Sequence, residues 1–179
     1  ITVGSISDIS APIPGLFKGA KVGAQAYFNY INSQGGVNGR KIILDARDSA
    51  FSSGTVASEA QSIATNDFAF VGGYSLLDGS EQPAIDANKV PMIAQTLTPS
   101  LFKDPNLYSA IPTVDGGAAN GPFKWLKSQY PSGVKAVGFI GSNATSSVKA
   151  SEATYRALTY DLGYKWVYTR DAGYTETNF

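Results

Sequence analysis

Ser80 and Thr98 are the two residues best placed by type and spacing to do chemistry. Ser80 follows a Gly72-Gly73 break and opens an apolar helical run, and Thr98 is followed directly by Pro99. A hydroxyl residue at a helix start caps a backbone N–H, and proline suits the first helical position. Each such start exposes unpaired N–H groups and the positive end of a helix dipole. Two neighbouring starts therefore make a site for a carboxylate or another small anion, with no arginine or lysine required. Gly79, Thr96 and Leu97 flank the two hydroxyls. Tyr74, Leu76 and Leu77, with Leu16 and Phe17 of an earlier loop, can supply an apolar wall beside them. Caps that only start helices, and apolar residues that only fill a core, are the plainer reading of the same positions.

Other chemistry is largely excluded. The 179 residues contain no cysteine and no histidine, which removes thiolate and imidazole metal ligands, Cys nucleophiles, Ser-His triads and the usual proton shuttle. No metal site and no cofactor are expected, and no enzymatic activity. Lys plus Arg and Asp plus Glu both number 14, with no basic stripe of the kind nucleic-acid binding needs. Asp45 with Asp48, and Asp8 beside Ser7, are carboxylates without a partner base and read as solvated loop groups or turn caps. The spacing from Gly138 to Ser142 lacks the glycine pattern of a nucleotide loop.

The elements that must position Ser80 and Thr98 follow from periodicity. Residues 1–6 read as a buried strand, and 7–15 as a loop rich in Ser, Pro and Gly. Phe17, Ala20, Ala24, Tyr27, Phe28 and Ile31 then mark one face of a helix that stops at Gly35-Gly36. A strand over 41–46 leads to a helix capped by Ser52 or Ser53 and faced by Val56, Ala60 and Ile63. Strands over 68–71 and 90–94 flank a short helix from Ser80 to about Asn88, and 107–111 is extended. Strands alternating with amphipathic helices imply an α/β fold with a parallel, doubly wound sheet.

A break at 112–117 precedes a second series: helix 118–129, strand 136–140, helix 146–162 and strand 165–169. The expected division is an N-terminal ligand-binding lobe over 1–112, a hinge crossing at 113–116, and the first part of a second lobe over 117–179. A sheet of two or so strands leaves apolar faces uncovered, so the second lobe reads as incomplete, with the remaining C-terminal half expected elsewhere in the protein. No run approaches the roughly 18 to 20 apolar residues of a membrane span, and no leader precedes Ile1, so a soluble, processed segment is expected.

Several motifs resemble those of type I periplasmic binding proteins of the branched-chain amino acid transporter class. The most specific is the helix ending Ile31-Asn32-Ser33-Gln34-Gly35-Gly36-Val37-Asn38-Gly39. Others are Asp45 to Asp48, Phe70-Val71-Gly72-Gly73, Gln82-Pro83 and Val90-Pro91-Met92-Ile93, in the family's order and nearly over the whole length. The resemblance implies a bilobal type I fold and the extracytoplasmic substrate-binding component of an ABC transporter, periplasmic or a cell-surface lipoprotein. It further implies hinge closure on a small ligand that a membrane permease then receives. The ligand's α-carboxylate would be held at Gly79 or Ser80, at Thr96 or Leu97, and at Thr98. A second-lobe contact, aromatic in the family, would fall on Ser146. The family's groups for an α-ammonium lie beyond Phe179, so an amino acid and an aromatic or aliphatic acid lacking the amine fit equally. A ligand-sensing domain of a receptor or regulator with the same fold is the alternative.

Overall fold

The computed structural model describes residues 1–13, 15–109, 119–143, 145–173 and 176–177. The crossing expected at 113–116 and the end of the strand expected over 107–111 lie outside them. Strand β1 (Thr2–Ser7) is buried from Val3 onward, because its alternating side chains meet helices on both faces of a sheet. Helix α1 (Lys18–Ser33) places Phe28 with Val3 and Ala69 on one face. On the other, Ile6 meets Val56, Ala60 and Ile63 of α2 (Ser53–Asn66). Strand β2 (Ile43–Asp48) follows α1, and β3 is only Phe70–Val71. Helix α3 (Gln82–Asn88) adds Ala84 and Ile85 to the core of α2, and β4 (Met92–Ala94) adds Met92 and Ala94. With β5 (Leu107–Ser109), five strands run parallel in the order β2-β1-β3-β4-β5.

Three local features set the close packing. Asn32 closes the end of α1 with a reciprocal pair of bonds: its Nδ2 donates to Ile42 O and its Oδ1 accepts from Ile42 N, both at 2.7 Å. Gly36 has φ +75°, and a Cβ there would lie 2.2 Å from Arg40 O, so the turn into β2 requires glycine. At Gly4 in β1 a Cβ would lie 2.2 Å from Ile63 Cγ2, so α2 sits directly on bare backbone.

The second series consists of α4 (Gly121–Gln129), β6 (Val137–Ser142), α5 (Ser146–Asp161) and β7 (Trp166–Ala172). Strands β6 and β7 pair in parallel. Phe139 meets Trp166 edge-on at 5.1 Å, and Phe123 packs near Tyr155 and Tyr164. Ile140, Val167 and Tyr168 remain exposed, as expected for a sheet of two strands among the described residues. The element types match the sequence expectation except after Thr98, and the described boundaries differ from it by at most three residues. The expected strand 41–46 begins at Ile43 because Ile42 is spent closing α1, while Lys41 O accepts from the N-terminal ammonium of Ile1.

Candidate functional site

Strand order reverses between β1 and β3, which opens a crevice beyond their carboxyl ends. Asp8 leaves β1 into that crevice and is 0% exposed. Its carboxylate accepts from Ser75 Oγ and Leu76 N at 2.7 Å each, and from Ser49 Oγ. The expectation of a solvated group is corrected: Asp8 is the internal acceptor that shapes the loop after β3. Asp48 does cap a turn, accepting from the N–H groups of Ile9, Ser10 and Ala50. Asp45 pairs with Arg47 at 2.6 Å, and that hydrogen bond is the chief reason its carboxyl titrates lower than usual.

The loop after β4 has a second internal acceptor. Asp78, 3% exposed, accepts from Thr96 Oγ1, from the N–H groups of Leu97 and Thr98, and from Thr98 Oγ1 at 2.6 Å. This corrects the expected helix starts. Ser80 ends a single 3-10 turn, Asp78–Ser80, and caps nothing. The residue preceding α3 is Glu81, with Pro83 in the first turn. Thr98 precedes no α-helix either: only the turn Leu101–Lys103 follows, flanked by Ser100, and no side chain caps it. The N–H groups of Leu97 and Thr98, expected to stand open to a ligand, are taken by Asp78.

Gly79, Ser80, Thr98 and Ser146 nonetheless meet. With Ser53, Leu77, Ser147 and Ala150 they line a cavity of roughly 340 Å³ between the two series of elements. Ser52 caps α2, its Oγ accepting from Thr55 N, and Thr145 caps α5 by accepting from Val148 N at 3.2 Å. Ser53, Ser146 and Ser147 are therefore first-turn residues of two long helices that converge on the cavity. First-turn N–H groups lack intrahelical partners, and those of Ser53, Ser146 and Ser147 meet no acceptor among the described residues. Thr145 Oγ1 donates to Leu76 O at 2.7 Å, and Ser147 Oγ lies 2.8 Å from Thr98 Oγ1. These contacts tie α5 to both loops. A Cβ on Gly79 would stand 3.0 Å from Thr98 Oγ1 and 3.4 Å from Ser147 Oγ, so glycine lets the three segments close up.

Tyr74, Leu16 and Phe17 do not line this cavity. Tyr74 packs edge-on against Phe17 at 4.1 Å, and Leu16 is partly buried beside it. Thr96 and Leu97 serve Asp78 rather than the cavity surface. Sequence reasoning missed Ser53 and Ser147 as lining residues and Asp78 altogether. An acid between Leu77 and Gly79 was the available signal.

Burial pushes the carboxyl of Glu81, 3% exposed, well above the usual range, and the nearby Asp78 and Asp8 add to this. Folded Glu81 holds its proton more tightly than an unfolded glutamate, whose ordinary value is 4.5, so its contribution is fully favourable below that pH. It falls as the pH rises toward the folded carboxyl's own titration. Glu81→Gln is expected to remove that decline, gaining on the wild type progressively as pH rises in urea denaturation. Parallel pH profiles for the two proteins would refute a neutral Glu81.

A family profile described as "Periplasmic binding protein" matches residues 1–179. No curated protein sequence matches the chain. Among solved structures, a substrate-binding periplasmic protein from Ralstonia solanacearum is 17% identical with a TM-score of 0.80, covering 99% of this chain and 51% of its own. The branched-chain amino acid transporter substrate binding protein of Streptococcus pneumoniae, solved with isoleucine, is 18% identical at TM-score 0.77, with coverages of 100% and 51%. A fatty acid ABC transporter substrate-binding protein from Thermomonospora curvata is 17% identical at TM-score 0.72, with coverages of 95% and 44%. At these identities the likeness is one of fold, and the chain spans about half the length of the structures it matches.

Proposed function

The chain belongs to the periplasmic binding protein family, and from that membership we propose that it captures a small polar ligand for an ABC transporter outside the cytoplasm. The observation that carries this reading is the cavity where the loops after β3 and β4 face the first turns of α2 and α5. Among the described residues its lining holds five hydroxyl residues and no titratable side chain, which suits binding and offers no base or nucleophile pair for turnover. Among the described residues no helix is long and apolar enough to cross a membrane.

An acid group of the ligand, as in an amino acid or an aromatic or aliphatic acid, would lie at the α2 and α5 starts. Unpaired N–H groups, two helix dipoles and the hydroxyls of Ser53 and Ser146 meet there. This moves the carboxylate away from the backbone of Leu97 and Thr98. The two series of elements would rotate about the segment 113–116 and bury the ligand, giving a membrane permease a closed form to read.

The test is calorimetry on the full-length protein, after a thermal-shift screen of amino acids, aromatic acids and fatty acids has identified a ligand. Ser53→Ala combined with Ser146→Ala is expected to weaken binding by roughly 1–3 kcal/mol. Unchanged affinity would remove the helix starts from the site.

A further inference from the structure

One buried hydroxyl outside the cavity lining joins the two series of elements. Thr145 precedes α5 in an extended conformation, and its Oγ1 makes two bonds of opposite sense. It accepts from Val148 N at 3.2 Å, which closes the first turn of α5. It donates to Leu76 O at 2.7 Å, which reaches across to the loop after β3. A hydroxyl has one proton to give and two lone pairs, so the two bonds operate together.

The acceptor is held as firmly as the donor. Leu76 is buried and donates its own N–H to Asp8 Oδ2 at 2.7 Å, while the hydroxyls of Ser49 and Ser75 fix Asp8 from the other oxygen. Among the described residues the carbonyl of Leu76 accepts no other hydrogen bond. A continuous line of bonds therefore runs from the end of β1 through Asp8, Leu76 and Thr145 to Val148 in α5. If the two series separate, Thr145 keeps its cap, and Leu76 O loses its partner in a position with little access to water. That loss opposes opening whether or not a ligand is bound.

We infer that Thr145 is a positioning residue that latches the two series together, setting ligand affinity through the closed population and without touching the ligand. This rests on the rotation about 113–116 proposed above. Part of the free energy of closure is then supplied by the chain itself, so the ligand has correspondingly less to supply. Thr98 and Ser147 form a second tie, but both line the cavity. Thr145 is the tie that can be altered while the ligand's surroundings stay as they are.

The experiment measures, by double electron–electron resonance on the full-length protein without added ligand, the distance between nitroxides at Ala57→Cys in α2 and Ala157→Cys in α5. Both positions are exposed, and they share the helix faces of Ser53 and Ala150, so closure shortens the distance. None of the 179 residues is a cysteine that would compete for the label. Thr145→Asp keeps an acceptor for Val148 N but has no proton for Leu76 O, whereas Thr145→Ser keeps both bonds. The wild type is expected to show a short and a long distance. Thr145→Asp should lower the ratio of short to long about fivefold, and Thr145→Ser should match the wild type. A long distance seen in Thr145→Asp alone supports the latch equally. Two distances in the same ratio in Thr145→Asp and the wild type overturn the latch and leave the rotation standing. An equal fall in Thr145→Ser also overturns it, because that variant retains the hydroxyl. A single distance common to all three proteins refutes the rotation and the latch together. Should Thr145→Asp fail to fold, Thr145→Val, which loses both bonds, replaces it, and a wild-type ratio there overturns the inference.

Discussion

Asp8→Ala is expected to destabilise the fold by about 3–5 kcal/mol, measured by chemical denaturation. The substitution strands Ser49 Oγ, Ser75 Oγ and Leu76 N, which all donate to this one fully buried carboxylate. Each orphaned buried donor costs about 1–3 kcal/mol, less whatever water regains as the loop relaxes. Asp8→Asn should fall between, since one amide oxygen can serve only some of the three donors and its NH2 faces the rest. The same loop carries Leu76, whose carbonyl receives Thr145, so ligand affinity should drop alongside stability. A loss under about 1 kcal/mol for Asp8→Ala would show that the donors find other partners.

Gly4→Ala should cost about 2–4 kcal/mol through overpacking. The new methyl would stand 2.2 and 2.7 Å from the γ-carbons of Ile63, itself fully buried, and 2.9 Å from Asp67 Oδ2. Neither β1, held between β2 and β3, nor α2 over it can move without disturbing the core around Val56 and Ala60. The cause is tested by a double-mutant cycle. Ile63→Ala leaves a cavity that the Gly4→Ala methyl can partly fill, so the double variant should be more stable than the two losses summed by at least about 1 kcal/mol. Additive losses would mean that the strain at Gly4 arises elsewhere.

How far the sequence disclosed this molecule depended on whether a signal was local. The end of α1 was legible because glycine at a positive φ and an asparagine closing a turn are short-range chemistry, and Gly36 and Asn32 play those parts. The cap of α2 was legible as Ser52 or Ser53, and Ser52 carries it. The ligand loops were not legible in the same way. A hydroxyl before an apolar run reads as a cap, but at Thr98 a carboxylate twenty positions away took both its proton and its N–H. Only the fold brings Asp78 there. Asp8 was misread for the same reason, as its three donors come from positions 49, 75 and 76. The convergence of α2 and α5 was likewise invisible, since Ser53 and Ser147 meet across the junction between the two series.

The two internal aspartates have a kinetic and entropic consequence. A loop that waits for its ligand to supply an acceptor must be ordered at the moment of binding, and that loss of freedom is subtracted from affinity. Here the segments 75–80 and 96–98 already have their acceptor, carried on the chain itself. Ligand capture should therefore leave the hydrogen exchange of Leu76, Leu97 and Thr98 nearly unchanged, with the slow step lying in the approach of α5 rather than in the setting of the loops.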